Sequence, residues 1–413
     1  MENINLKTYY MVIKILGDFV NNKIIDKDFF NENIIDVANE ENSQKIYIGR
    51  IYYIAKKHNL VSIMAQAMEK LGFESDSDIW KRWLKEKNQL IYKSVLMDVE
   101  REAIQDFFEK NNIWYMLLKG MVIRKYYPAP ELREMADNDI LFDNKYSKEV
   151  YEFMTARGYK SDDYNKGYHD EYLKPPAYNF EMHRQLVSSK ERPKWYEYYK
   201  DVKSILIKDT NENRETAANN ESNNTSNQFY FSDNDFYVYF IVHTYKHFLN
   251  SGMGLRTVLD VYLYVSNLQE KLDFDYIEEQ LKKLDAYDFE QTFRSIAFKM
   301  FDENLEDRKW WDLFDVKEQE MLSYVLDAGT YGNLENSVVH KMGYTKGEKK
   351  KTSDKARYIF RRLFPSMDTI EEFFPFFYKH KWAIPFLYIY RIGKIPFTRR
   401  KKVAGELKEV FKK

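Results

Sequence analysis

The sequence contains no cysteine among its 413 residues. Disulfide bonds and thiolate metal sites are therefore excluded, and the composition fits a reducing cytoplasm. Proline is scarce at 9 residues and glycine at 14, and no proline precedes residue 128. In the first 110 residues prolines are absent and glycines few, so little there interrupts a helix. Neither sign of charge is in excess: 64 Lys and Arg face 65 Asp and Glu, a net charge of −1. No global field recruits nucleic acid or a membrane, so any such partner needs a local patch. Long apolar runs are missing as well. No segment reaches the roughly 18 uninterrupted apolar residues of a membrane span, and the opening MENINLKTYYMVIKIL lacks the basic flank and apolar stretch of a signal peptide. These absences predict a cytoplasmic protein, long enough for two or three domains with an ample core.

What is present in the first 110 residues is helical periodicity. Apolar side chains return every three or four positions at Tyr10, Ile13 and Leu16, at Ile51, Ile54 and Ala55, and at Ile91, Val95, Met97 and Ile104. A helical lobe over 1–108 is expected, covering the back of a sheet or lining a ligand cleft.

The sequence changes character at Ile113. Residues 113–118 form an unbroken apolar and aromatic run of strand length, which stops at Lys119 and Gly120, where the chain must turn. Residues 121–127 suit a short helix, ended by Pro128 and Pro130. Residues 137–142 then read as a second strand, whose alternation puts Asp137 and Asp139 on one face about 6.6 Å apart along the backbone. Two carboxylates so placed call for a cation, and divalent metal is the natural one. Mg2+ takes carboxylate and phosphate oxygens, and two ions about 3.5–4 Å apart clamp the attacking and leaving oxygens of a phosphoryl transfer. Two solvated aspartates at a strand end would look the same. The turn at Lys119 and Gly120 favours the metal, because it leads into a helix start where free amides attract phosphate.

Downstream, residues 147–157 are helical in pattern, with Gly158 as a C-terminal stop. Residues 171–174, the Pro175–Pro176 break and residues 177–186 read as a hairpin. In its second strand Tyr178, Phe180 and Met182 point one way and Asn179, Glu181 and His183 the other. Glu181 is thereby a candidate third carboxylate. His183 reads either as a contact to phosphate or as a satisfied structural histidine. Residues 209–228 carry no aromatic and no large aliphatic side chain, which predicts a disordered loop between two short segments, 204–208 and 229–231, able to pair as strands. Residues 235–284 return to helix. His243 and His247 share a face there at a zinc-capable spacing, but Thr244 and Tyr245 stand where a metalloprotease glutamate would, and no third ligand is evident. Arg256 and Asp260, also four apart, read as a helix-surface ion pair. The last quarter is helical again, broken by a basic stretch at 346–357 and an aromatic-rich one at 373–391. It ends in a basic tail from Lys394 that suits solvent or an anionic surface.

These residues resemble a known family, the uncharacterised bacterial nucleotidyltransferases with a DNA polymerase beta-like palm. The resemblance runs in order through LLKG (117–120), YYP (126–128), LREMADNDIL (132–141), FEMH (180–183), HTYKHF (243–248), GLRTVLDV (254–261), RRLFPS (361–366) and the pair Tyr390 and Arg391. One departure is Asn138, a polar residue where the family usually has an apolar one, which would loosen the strand. The resemblance implies an α+β fold: a nucleotidyltransferase palm, a mixed sheet with helices, embedded between N- and C-terminal helical lobes. The segments would be the N-terminal lobe at 1–108, the palm at 109–208, the loop at 209–228, a helical lobe at 229–330 and a helical region with the basic tail at 331–413. It implies metal-dependent transfer of NMP from an NTP to an acceptor, with release of pyrophosphate and Mg2+ or Mn2+ as cofactor. Asp137, Asp139 and Glu181 would hold the metals, and Glu181 would take the acceptor proton. Lys119 and Gly120 would hold the triphosphate, with His183, Lys246 and Arg256 available to phosphate. Arg133 either stabilises the transferring phosphate or pairs with Glu131 or Glu134. The acceptor, whether small molecule, protein or RNA, is left open. The alternative is a nucleotide-binding or regulatory protein on the same fold that has lost turnover.

Overall fold

The computed structural model describes residues 5–23, 28–35, 45–162, 164–176, 178–189, 192–210, 226–250, 252–301, 310–330, 332, 338, 352–394 and 410–411. Most of the loop expected at 209–228, the basic run 346–351 and the basic tail from 395 lie outside those residues, apart from Val410 and Phe411.

The principal helices are α1 (Leu6–Val20), α2 (Ile48–Lys57), α3 (Val61–Lys70), α4 (Asp78–Lys110), α5 (Gly120–Ile123), α6 (Ser147–Ala156), α7 (Asp233–Asn250), α8 (Leu255–Leu268), α9 (Phe274–Lys283), α10 (Tyr287–Phe301), α11 (Val316–Ala328), α12 (Thr352–Leu363) and α13 (Ile384–Lys394). The helical periodicity of the first 110 residues is thus realised, with one addition: Ile34–Ile35 and Ile46–Tyr47 pair as a short parallel ladder. Helix α1 starts where the Asn5 side chain accepts the Thr8 amide, which satisfies an otherwise orphaned donor. It is buried almost all round, from Thr8 to Asp18, as a helix apolar on every side must be. Its Tyr9 hydroxyl donates to the Leu326 carbonyl at 2.7 Å, and Asn21 donates to the Phe301 carbonyl at 2.6 Å. The main hydrophobic core accordingly runs from Tyr9 to Leu326 and joins α1–α4 to α7–α11.

A four-stranded sheet sits against this core, built from β1 (Tyr115–Leu117), β2 (Asn138–Phe142), β3 (His169–Lys174) and β4 (Tyr178–His183) in the order β1-β2-β4-β3. Strands β2 and β4 are parallel, while β1 with β2 and β3 with β4 are antiparallel. The fold is therefore a mixed α+β one, dominated by helices. Alternation divides the sheet into two faces. Ile140, Phe142, Phe180 and Met182 enter a second core closed by Ile104 and Phe108 of α4 and Val150 and Met154 of α6. Asp139, Glu181 and His183 take the other face, toward the helices. The predicted hairpin is present, as is the stop at Gly158 with φ 86°. The short segments flanking the loop pair as Ile207–Lys208 with Phe229–Tyr230.

Residues 235–284 are helical as expected, divided among α7, α8 and α9; the chain turns at Gly252, φ 104°, where an added side chain would meet Ala328 and Tyr324. One local expectation changes. Strand β2 begins at Asn138, so Asp137 lies just before it instead of within it. Among the described residues, no helix is long and apolar enough to cross a membrane.

Candidate active site

The turn after β1 is tight. Lys119 adopts φ 50° and ψ −115°, in the left-handed half of the map that few non-glycine residues occupy. Its neighbour has no room for a side chain, because a Cβ on Gly120 would run into the Arg133 guanidinium. The helix that follows is only the four residues of α5, continued by a 3-10 turn at Arg124–Tyr126. Held this way, the Lys119 ammonium reaches Asp139 Oδ1 at 2.6 Å and Glu181 Oε2 at 3.9 Å.

Asp139 and Glu181 are direct partners across the parallel β2–β4 ladder. The ladder thereby sets two carboxylates side by side without any help from loops. His183, two residues along β4, turns to the same face, and its Nε2 lies 2.9 Å from Asp139 Oδ1 and 3.5 Å from Glu181 Oε2. Ligand atoms of these three residues lie within 4.8 Å of one another, a group able to hold a metal ion. Burial alone would raise the Asp139 carboxyl, but the Lys119 charge and the His183 hydrogen bond hold it well below its usual value. Glu181 is likewise held down against burial, chiefly by His183. Burial and Lys119 oppose a charged His183, yet its bonds to Asp139 and Glu181 raise it above the ordinary imidazole range. Asp137, outside this trio, is pushed up to about 6 by burial first and by the Asp139 charge second.

The opposite wall is α7. Lys246 donates to the Tyr168 hydroxyl at 2.7 Å, and its ammonium stands 4.7 Å from the centre of that ring. His243 and His247 share a helical face as their spacing predicts, with their Nε2 atoms 2.9 Å apart. Burial, followed by the Lys119 charge, lowers both; His247 falls to about 4. Among the described residues the metal-capable group is the Asp139, Glu181 and His183 one, so the helical histidines form a pair with no assembled set of ligands.

Sequence reasoning missed Tyr168, His169 and Tyr239. His169 faces His183 across the β3–β4 ladder, with ring centres 5.1 Å apart, and its Nε2 is 3.9 Å from Glu181. Burial and then the neighbouring His183 lower it to about 4. The signal was available: a hairpin that turns at Pro175 and Pro176 and pairs Lys174 with Tyr178 must, counted outward, pair His169 with His183. Tyr239 lies under the site from α7, 6.1 Å ring to ring from His243. Its signal was weaker, since only the packing of α7 on the sheet brings it there.

Arg133 and Arg256 are placed differently from expectation. Arg133 makes two bonds of 2.8 Å to Asp260 rather than to Glu131 or Glu134, and the Tyr127 hydroxyl completes the same carboxylate at 2.7 Å. The ion pair expected between Arg256 and Asp260 is replaced by this one, because both Arg133 and Asp260 are buried and need each other. Arg256 donates instead to the Glu134 carbonyl at 2.7 Å. The two arginines tie the loop before β2 to α8. Glu134, pushed up to about 7 by burial, accepts the Ser62 amide at 2.9 Å and anchors the same loop to α3.

A mixed sheet presents adjacent strand carboxylates and an imidazole, with a turn lysine beside them and a helical wall opposite, a buried polar group that could hold a metal ion. The family model described as uncharacterised nucleotidyltransferase matches residues 44–302, and the chain belongs to that family. No curated protein and no solved structure matches the chain.

Proposed function

We propose that this protein transfers a nucleoside monophosphate from an NTP to an acceptor and releases pyrophosphate, on a polymerase beta-like palm formed by β1–β4. The observation that carries this is the convergence of Asp139, Glu181 and His183 within 4.8 Å, beside Lys119, in a chain of a nucleotidyltransferase family. The donor set fits a divalent ion: two carboxylates with an imidazole suit Mn2+ as well as Mg2+, and Asp137 stands two residues from Asp139 to share the load. When bound, such an ion would supply positive charge to the triphosphate and the transferring group. Lys119 exchanges its contact with Asp139 for the triphosphate, and Lys246 offers a second cation from α7. An acceptor oxygen bonds to the α-phosphorus while the bond from that phosphorus to the bridging oxygen breaks, and the electron pair leaves with pyrophosphate. The acceptor proton passes to Glu181, which remains partly open to solvent. Arg133 and Arg256 keep the carboxylate loop in place.

The test is pyrophosphate release from each NTP with Mg2+ or Mn2+, with cell extract as acceptor pool, followed by isolation of the labelled product. One observation favours a second reading, nucleotide binding without turnover: the Lys119 ammonium sits 2.6 Å from Asp139, on the carboxylate the metal needs. NTP binding with no pyrophosphate release in any acceptor pool, equal in wild type and Asp139→Asn, would select that reading.

A further inference from the structure

Helix α13 is apolar on both sides. Together with the 3-10 turn Lys381–Ala383 that leads into it, the helix holds Ala383 and Leu387 in the protein on its inner side, and Tyr388 meets the Phe364 ring edge-on at 5.0 Å. Its outer side presents Trp382 at 73 % exposure, Phe386 at 61 %, Ile389 at 68 % and Tyr390 at 56 %. These four occupy positions i, i+4, i+7 and i+8, one stripe along the helix. Phe376, on the short helix Pro375–Lys379, is exposed in the same way, and Ile392 prolongs the apolar surface. An exposed apolar patch of this kind marks an interaction surface.

The charges around the stripe say what covers it. From Phe373 to Lys394 the sequence carries 4 Lys or Arg and no Asp or Glu. Lys379, His380 and Lys381 are exposed immediately before Trp382. A second copy of the chain would bring the same cations against themselves across a two-fold interface. Nucleic acid would use the aromatic rings but gain nothing from the exposed aliphatics Ile389 and Ile392. Lipid uses all three features: acyl chains take the aliphatic side chains, Trp and Tyr rings sit at the headgroup level, and lysines meet anionic headgroups.

We propose that the outer face of α13, with Trp382, Phe386, Ile389 and Tyr390 at its centre and Lys379 and Lys381 at its rim, docks the protein on the surface of an anionic lipid bilayer. The chain lies on the membrane rather than in it. This is independent of the nucleotide chemistry, so either can fail alone.

The test is sedimentation of the full chain with vesicles of phosphatidylcholine alone and of phosphatidylcholine mixed with phosphatidylserine. Binding to the mixed vesicles, weakened by salt and absent on the neutral ones, is expected. Trp382→Ala with Ile389→Ser should weaken it about tenfold by removing buried apolar surface, and Lys379→Glu with Lys381→Glu by roughly fivefold or more per lysine. All four positions are exposed, so far-UV circular dichroism should be unchanged. Equal binding to both vesicle types, no binding to either, or binding indifferent to both double variants overturns the proposal. So does a dimer in sedimentation velocity that the Trp382→Ala, Ile389→Ser variant dissociates without any vesicle binding, which would make the face a contact between copies. RNA binding lost in these variants, with no vesicle binding, overturns it equally.

Discussion

At the scale of single residues, the site separates groups that act on charge from groups that hold the protein together. Asp139 is bound by Lys119 and His183, and it is the carboxylate on which both the proposed metal and the lysine converge. Asp139→Asn keeps the shape and a hydrogen-bond acceptor but removes the charge. Pyrophosphate release should fall roughly thousandfold, about 4 kcal/mol of barrier, with the circular dichroism spectrum retained. Lys119→Ala should instead weaken NTP binding, measured directly by calorimetry, because the lysine acts on the triphosphate in the ground state as well. His58 shows the structural kind of residue. Its Nδ1 accepts the Leu255 amide at 3.0 Å, so its Nε2 carries the proton and donates to the Tyr9 oxygen at 3.1 Å, while the Tyr9 hydroxyl hydrogen goes to Leu326. Complete burial lowers this imidazole from 6.5 to about 3. Below about 6.5 the unfolded chain therefore binds a proton that the folded one refuses, and stability falls as pH drops toward 3. Between pH 7 and 5 wild type should lose about 2 kcal/mol more than His58→Gln, read from urea titrations at the two pH values.

At the scale of elements, the loop before β2 is fixed from two sides, by Asp260 of α8 through Arg133 and Tyr127 and by Ser62 of α3 through Glu134. Asp260→Ala strands a buried guanidinium and a buried phenol. It should cost about 3–5 kcal/mol in urea unfolding, whereas Arg133→Met combined with Asp260→Leu should recover part of that, since no buried charge is left unpaired. The strands that carry the carboxylates were legible from sequence because alternation is a local property: Phe180 and Met182 inward and Glu181 and His183 outward follow from period 2 alone. Alternation made Glu181 a candidate to stand beside the aspartates, but the parallel pairing that sets it opposite Asp139 came only with the tertiary structure. Nothing local states which strands become neighbours. Asn138, the polar residue that breaks the apolar pattern of β2, is fully buried and accepts from Arg101 of α4 at 3.5 Å. The partner of its oxygen comes from an element 37 residues away, which the strand by itself could not announce, and its buried Nδ2 has no partner among the described residues.

At the scale of the molecule, the core joins the first helix to the last part of the helical lobe. Helix α1 lies outside the family match of 44–302, yet it packs between α3 and α10, and Tyr9 binds Leu326 of α11. Lys299 and Ser295 of α10 bind Glu318 of α11 in the same way. A fragment restricted to 44–302 would expose the faces of α3 and α10 that α1 covers. It should show no cooperative transition in thermal or urea unfolding, while the full chain gives one for this core. A sharp transition in the fragment, with the stability of the whole, would mean that α1 and α11 are accessories.

The sequence by itself determined the local properties: helical periodicity, strand alternation, turn positions at Lys119, Gly120 and Pro175, and the types of residue available for chemistry. Motif order also carried the family. Only the tertiary structure decided that Asp137 stands outside the trio of Asp139, Glu181 and His183, and that Arg133 belongs to Asp260. The physical reason is the same in each case. Periodicity is set by backbone geometry within a few residues, but a buried charge takes whichever partner the packing of distant elements delivers to it, because leaving it alone costs more than any local preference can return.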